Sequence, residues 1–328
     1  MKKRLLSALL VSVMAMSLVA CGGGSSSSSS SNNESKKYNI GICQLVQHEA
    51  LDAATKGFKD ALIEELGEDN VEFNEQNAQG DPNTCSSIIN DFTNKKVDLI
   101  LANATPALQA AASGTDSIPI LGTSITEYGV ALDIDNFSGT VGKNISGTSD
   151  LAPLDKQAEM LKEIFPDAKK VGLLFCSAEP NSKYQVDTVQ TNLEKLGYTC
   201  TQYSFQDSNE LSAVATTAVS ESDVIYVPTD NTVANNTELL YNTAIEKNVP
   251  VVAGEEGICK GCGTVTLSIS YYDLGVATGK MAAKVLKGEK KIEEMPIEYA
   301  PNFTKKYNKA ICEKLNIKVP EGYEEIKE

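Results

Sequence analysis

The chain has 328 residues, 41% of them hydrophobic, with eight cysteines, one histidine and a formal net charge of −15. That length and apolar content suffice for two lobes with their own cores, and the acidity argues against nucleic acid and against electrostatic adhesion to anionic lipid. A single histidine removes most general-base schemes, and we find no G-x-S-x-G elbow, G-x-x-x-x-G-K-[ST] loop, H-E-x-x-H helix or G-x-G-x-x-G turn after a strand, so the chain does not read as an enzyme.

In chain order, Lys2, Lys3 and Arg4 precede a short apolar run, Leu5 to Ala20, that ends in Leu18-Val19-Ala20-Cys21. This is the order of a secretory signal peptide over residues 1–20. Ala20-Cys21 resembles a bacterial lipobox, which implies that the Cys21 thiol is acylated (palmitate) and becomes the first mature residue. Gly22 to Lys37, with serines throughout 25–31, reads as a flexible tether reaching roughly 5–6 Å × √16, or about 20–24 Å. Losing the three leader cations takes the net charge from −15 to −18.

Beyond the tether, short apolar runs alternate with segments of helical period, the pattern of βα units around parallel sheets. Strands are predicted at 38–46, 71–76, 98–102, 118–121, 170–176, 199–205, 223–227, 250–253 and 264–270. Helices are predicted at 49–66, 82–94, 106–112, 153–164, 182–196, 210–220, 233–247 and 273–286. The series runs twice, so the expected fold is α/β with two doubly wound parallel-sheet lobes, and a ligand is expected between facing strand ends. Of the seven cysteines left after Cys21, those in apolar strands read as small buried hydrophobes. Cys259-Lys260-Gly261-Cys262 reads as a loop disulfide or two idle thiols, with a thiol oxidoreductase as a low alternative; the other ligands of a zinc site are missing, so no metal or cofactor is expected.

Several motifs together resemble the ABC-transporter substrate-binding lipoproteins related to the tryptophan-binding, aromatic amino acid family. They are Gly41-Ile42-Cys43-Gln44-Leu45-Val46-Gln47-His48, Ala104-Thr105-Pro106-Ala107, Ser146-Gly147-Thr148-Ser149-Asp150, Asn181-Ser182-Lys183, Val227-Pro228-Thr229-Asp230-Asn231-Thr232 and Asp273-Leu274-Gly275-Val276-Ala277-Thr278-Gly279. The resemblance implies a type I periplasmic-binding-protein fold whose chain crosses between lobes three times. We place the crossings near 143–150, 268–272 and 289–295, giving an N-terminal lobe of 38–147 plus 271–290 and a C-terminal lobe of 148–270 plus 291–328.

It also implies an extracytoplasmic monomer, lipid-anchored to the cell membrane, that hands a small ligand to an ABC permease and ATPase complex. A lipoprotein that senses ligand for a membrane receptor shares the same features. A free amino acid brings two charges that must both be met on burial. Thr105, as a helix cap before Pro106, suits its carboxylate. Ser149, Asp150, Asn181 and Ser182 are candidates at a crossing and a helix start. Asp230 is assigned to the ammonium, beside Asn231; Asp273 could equally be that acceptor or serve as a helix cap, and Gln44 and His48 frame the first strand-to-helix loop.

Overall fold

A computed structural model of the chain describes residues 37–300 and 302–327; the signal peptide, Cys21 and nearly all of the tether lie outside the described residues. The first half contributes β1 (Tyr38–Gln44), α1 (Glu49–Leu66), β2 (Val71–Asn77), α2 (Pro82–Lys95), β3 (Leu99–Asn103), α3 (Thr105–Gly114), β4 (Ile120–Ile125), α4 (Tyr128–Leu132) and β5 (Ile145–Ser149). The second contributes α5 (Leu154–Ile164), β6 (Lys170–Cys176), α6 (Pro180–Lys195), β7 (Thr199–Phe205), α7 (Ser208–Glu221), β8 (Val224–Val227), α8 (Asn231–Ala234), α9 (Thr237–Glu246), β9 (Val251–Ala253), α10 (Glu256–Cys262) and β10 (Val265–Ser268). The chain then returns through α11 (Tyr271–Leu286) and β11 (Glu298–Tyr299), and ends in β12 (Thr304–Tyr307), α12 (Lys309–Lys314) and β13 (Glu324–Glu325).

Two sheets result. The first has the order β11-β5-β4-β3-β1-β2, and the second β13-β12-β10-β9-β8-β6-β7. Every pairing is parallel except β10 with β12. Alternate strand residues feed opposite faces, as the pleat requires. Ile40, Ile42, Leu99 and Leu101 pack under α1 and α11 with Phe58 and Met281, whereas Cys43, Ile100 and Ala102 pack with Ile89 and Phe92 of α2. Both faces of each sheet are covered, which is why the strands read as continuous apolar runs.

Two of the lobe boundaries fall later than the expected ones. Thr148 and Ser149 belong to the first sheet through β5, so the first crossing starts at Asp150 and not before Thr148. The third falls after Tyr299, because Glu298 and Tyr299 pair with Thr148 and Ser149. Ile292, Met295 and Ile297 anchor that segment in the first lobe's core, three apolar residues hidden among lysines and glutamates. The helix expected over 233–247 is broken at Asn235 and Asn236 into α8 and α9.

The second crossing is fixed by how closely α11 lies on α1. A methyl group at Gly57 would run into the Tyr272 carbonyl oxygen, and one at Gly275 into that of Ala54. A Cβ at Gly279 would stand 2.6 Å from the Phe58 carbonyl oxygen. These neighbours are backbone atoms and cannot rotate away, so Gly275→Ala should cost at least the ~1–3 kcal/mol typical of overpacking, read as a lower denaturation midpoint in urea.

Candidate functional site

The carboxyl ends of the strands of both sheets face one another across the gap between lobes, the place where open α/β sheets put their ligands. There the chain leaves β1 at His48, β4 at Thr126, β5 at Asp150, β6 at Glu179, β8 at Asp230 and β9 at Glu255. Four of these residues stand at helix N-caps: His48 before α1, Glu179 before α6, Asp230 before α8 and Glu255 before α10. A tightly closed cavity of about 10 Å³ lies among them, lined by His48, Ser124, Thr126, Asp150, Asn181, Thr229, Asp230, Asn231, Glu255 and Tyr271 among others.

No lysine or arginine lines this cavity. Its acids Asp150, Asp230 and Glu255, and Glu179 beside it, are held by neutral donors. Glu179 accepts from the Asn231 and Thr232 backbone N–H groups at 3.0 and 2.9 Å, and from the Asn231 amide at 2.7 Å. Asp230 Oδ2 accepts from Cys176 N at 2.7 Å, and Oδ1 from Val233 N at 2.9 Å. Burial, reinforced by the Glu179 charge, pushes the Asp230 carboxyl well above the usual carboxylate range. Glu255 caps α10 through Gly257 N and Ile258 N, and burial pushes it up to about 7. Asp150 accepts at Oδ2 from the Tyr271 hydroxyl at 2.9 Å, and burial raises it too.

Three buried polar atoms on the cavity wall have no hydrogen-bond partner: Asp150 Oδ1, Asn181 Oδ1 and Ser124 Oγ. Buried polar groups are nearly always paired, so three orphans on one wall mark a place built to meet something else. Ser124 also sits at φ 56°, where β4 shifts register against β5, and left-handed non-glycine backbone collects at functional sites.

The lobes touch across the cavity. His48 Nε2 stands 3.2 Å from Asn231 Oδ1, Thr126 and Thr229 hydroxyls meet at 3.5 Å, and Lys260 pairs with Glu49 at 3.2 Å. Burial lowers the His48 imidazole below its ordinary value, which keeps it neutral at pH 7.

Of the residues singled out in the sequence, His48, Asp150, Asn181, Asp230 and Asn231 converge on the cavity. Gln44 does not line it; it bonds Val46 O, Asp52 and Thr55, holding the loop that presents His48. Thr105 is buried as the first residue of α3, whose cap position belongs to Ala104. Ser149 donates to Thr126 O and accepts from Leu151 N, pinning the first crossing. Ser182 is fully buried and bonds the Asp230 carboxyl from behind.

Asp273 is exposed on the third residue of α11 and does not cap it, since Ser270 accepts from its N–H. The Cys259–Cys262 segment is helical, not a loop; both are free, buried thiols, pushed up by burial and so away from thiolate chemistry. Tyr271, Glu255, Ser124, Thr126 and Thr229 were not singled out. The rule that selected Asp230, emergence at the carboxyl end of a buried strand, also marks Glu255 after Val251–Ala253.

Glu255 and Asp230 bind their protons more tightly in the folded protein than in the unfolded chain. The contribution of Glu255 to stability is therefore complete below about 4.5, the ordinary Glu value, and is lost as pH rises through about 7, and that of Asp230 has the same sign. Thermal melts of ligand-free protein should show Tm falling between pH 5 and pH 8, and Glu255→Gln, which keeps a capping oxygen, should flatten that fall.

A model of the family described as ABC transporter substrate binding protein matches residues 39–325. A tyrosine-binding protein of Clostridioides difficile (strain R20291) is 37% identical over 306 residues, covering 90% of this chain and 87% of the relative. Among solved structures, the ABC domain from Streptococcus pneumonia in complex with L-Trp is 32% identical, with a TM-score of 0.84 and coverage of 89% of this chain and all of that one. The ligand-free, open structure of a substrate binding protein with adhesive properties from Clostridium difficile is 37% identical, with coverage of 88% and 99% and a TM-score of 0.67. The better superposition is on the ligand complex, despite its lower identity, in keeping with the contacts that join the two lobes here. By the family model, the relative and the fold, this chain belongs to the ABC transporter substrate-binding proteins.

Proposed function

We propose that the chain is the lipid-anchored, extracytoplasmic binding component of an ABC importer, and that its interlobe cleft takes a free aromatic amino acid. The observation that carries this reading is the set of unpartnered buried atoms, Asp150 Oδ1, Asn181 Oδ1 and Ser124 Oγ, around one cavity between the lobes. An ammonium group offers three donors and a positive charge to a wall that has acceptors and no cation. Asp150 is the acceptor that fits, because one of its oxygens is unpartnered. Asp230, the residue assigned to this role from the sequence, already has both oxygens on backbone N–H groups, so we assign it to shaping the wall. The hydroxyls of Ser124 and Thr229 are the neutral donors available to a carboxylate. The aromatic side chain follows from the relatives, one named for tyrosine and one solved with L-Trp.

Capture works by closure. Ligand favours the closed form only through tighter binding to it, and a shift from 1:99 to 99:1 requires about 5.5 kcal/mol of preference. Contacts from both lobes supply this, Asp150 and His48 from one side and Asn181 and Asn231 from the other.

A thermal-shift screen over the twenty amino acids should single out the aromatic ones, since a ligand at a hundred times its Kd adds about 2.7 kcal/mol. Asp150→Asn should weaken the best of them by about 2–5 kcal/mol in calorimetry, the scale of losing one member of a buried charge pair. A screen with no amino acid above baseline would refute the reading. For the anchor, Cys21→Ser should move the protein from the membrane pellet to the soluble fraction of the expressing cell, and an unchanged pellet would refute acylation at that thiol.

A further inference from the structure

Asp150 is the first residue after β5, where the chain first leaves the N-terminal lobe, and Tyr271 is the first residue of α11, where it returns. Two crossings that are 121 positions apart in sequence thus meet in one hydrogen bond, Tyr271 Oη donating to Asp150 Oδ2 at 2.9 Å. Both side chains are buried, at 6% and 5% exposure. The other oxygen of the same carboxyl, Oδ1, is unpartnered on the cavity wall. The Tyr271 ring is backed by Ala50 and Ala54 of α1 and by Ile269 and Leu274, so its position is set by the tight packing of α11 on α1.

We propose that Tyr271 is a positioning residue for ligand recognition: its hydroxyl holds Asp150 Oδ2 so that Oδ1 faces the cavity as the ammonium acceptor, and a seated ammonium ties the first two crossings together in the closed arrangement. The inference rests on the amino-acid reading of the cleft. A carboxylate fixed at one oxygen by a neutral donor keeps its second oxygen in a single direction, and the donor favours the charged form that an ammonium needs.

The titratable groups facing Asp150 are Tyr271, the Tyr128 phenol from α4, Glu255 from the cap of α10, Asp230 from the cap of α8 and the neutral His48 from the cap of α1. None is a cation at pH 7, and the Thr126 hydroxyl is the other neutral donor against the carboxyl. Without the Tyr271 hydroxyl, Asp150 ionises less readily. Ammonium binding requires the ionised form, so affinity falls as pH falls, and this acid limb moves to higher pH when the hydroxyl is removed.

The test is calorimetry from pH 5 to pH 9 with L-tyrosine, L-tryptophan and L-phenylalanine as probes, on wild type, Tyr271→Phe, Asp150→Asn and the double variant, with 3-(4-hydroxyphenyl)propionate as the probe lacking an ammonium. Tyr271→Phe keeps the ring and should raise Kd for the amino acids about tenfold or more, the scale of one hydrogen bond to a charged group, with its acid limb shifted upward. The deaminated acid should bind both proteins alike. Asp150→Asn should lose the limb assigned to Asp150, and adding Tyr271→Phe to it should cost little more. The proposal is overturned if Tyr271→Phe matches wild type in affinity and pH profile, or if it weakens binding by one constant factor at every pH and equally in the Asp150→Asn background. If Tyr271→Phe does not fold, an acid limb unchanged in Asp150→Asn overturns it by itself. Wild-type protein that binds none of the three amino acids overturns the reading of the cleft, and this inference with it.

Discussion

Four carboxyl groups, on Asp150, Glu179, Asp230 and Glu255, are buried where the two lobes meet, and no lysine or arginine is placed among them. A buried carboxylate with no compensation is too costly to persist, so the surrounding structure is arranged to satisfy these groups with neutral donors. Three of the four stand at helix N-caps, where free backbone N–H groups and the positive end of the helix dipole are available. The fourth, Asp150, has the Tyr271 phenol on Oδ2 and the Thr126 hydroxyl against its carboxyl, and its Oδ1 has no hydrogen-bond partner.

That arrangement explains why the helices begin where they do. In a doubly wound lobe the strand ends and the helix starts share one edge, so facing two such lobes brings both sets of helix N-termini to a common gap. Glu179 shows the consequence: from the start of α6 it gathers the Asn231 and Thr232 N–H groups of α8 and so joins two units of the second sheet beneath the cavity. His48 then reaches across from the first lobe to Asn231, so the contact between lobes rests on a residue already held by Glu179.

The hinge is tied to the same network. The helix that follows the second crossing lies so close to α1 that backbone meets backbone at Gly57 and Gly275. The position of Tyr271, and through it of Asp150, is therefore set by core packing rather than by a loop. Side chains on elements fixed in this way hold a site more precisely than loop residues do.

Local signals carried much of the architecture. Apolar runs such as Val224–Val227 are short and β-branched because both sheet faces are covered, Pro82 after Asp81 announced α2, and the alternation of such runs with helical periods implied two α/β lobes. His48, Asp230 and Asn231 were legible as candidates, and they do line the interlobe cavity, because each emerges at the end of such a run. Other features were not. β5 reads Ile145-Ser146-Gly147-Thr148-Ser149, whose small polar residues are satisfied only by partners such as Met295 O and Thr278, 149 and 130 positions away. The third crossing depended on three apolar anchors in a charged stretch. Which carboxylate keeps an unpartnered oxygen was decided by tertiary structure alone, because the Cys176 N–H that occupies Asp230 lies 54 positions away and the Tyr271 hydroxyl bonded to Asp150 lies 121 away. Periodicity and punctuation are properties of neighbouring residues and survive in the sequence by itself; hydrogen-bond satisfaction at a lobe interface is a property of atoms that meet only when the chain has crossed the gap and returned.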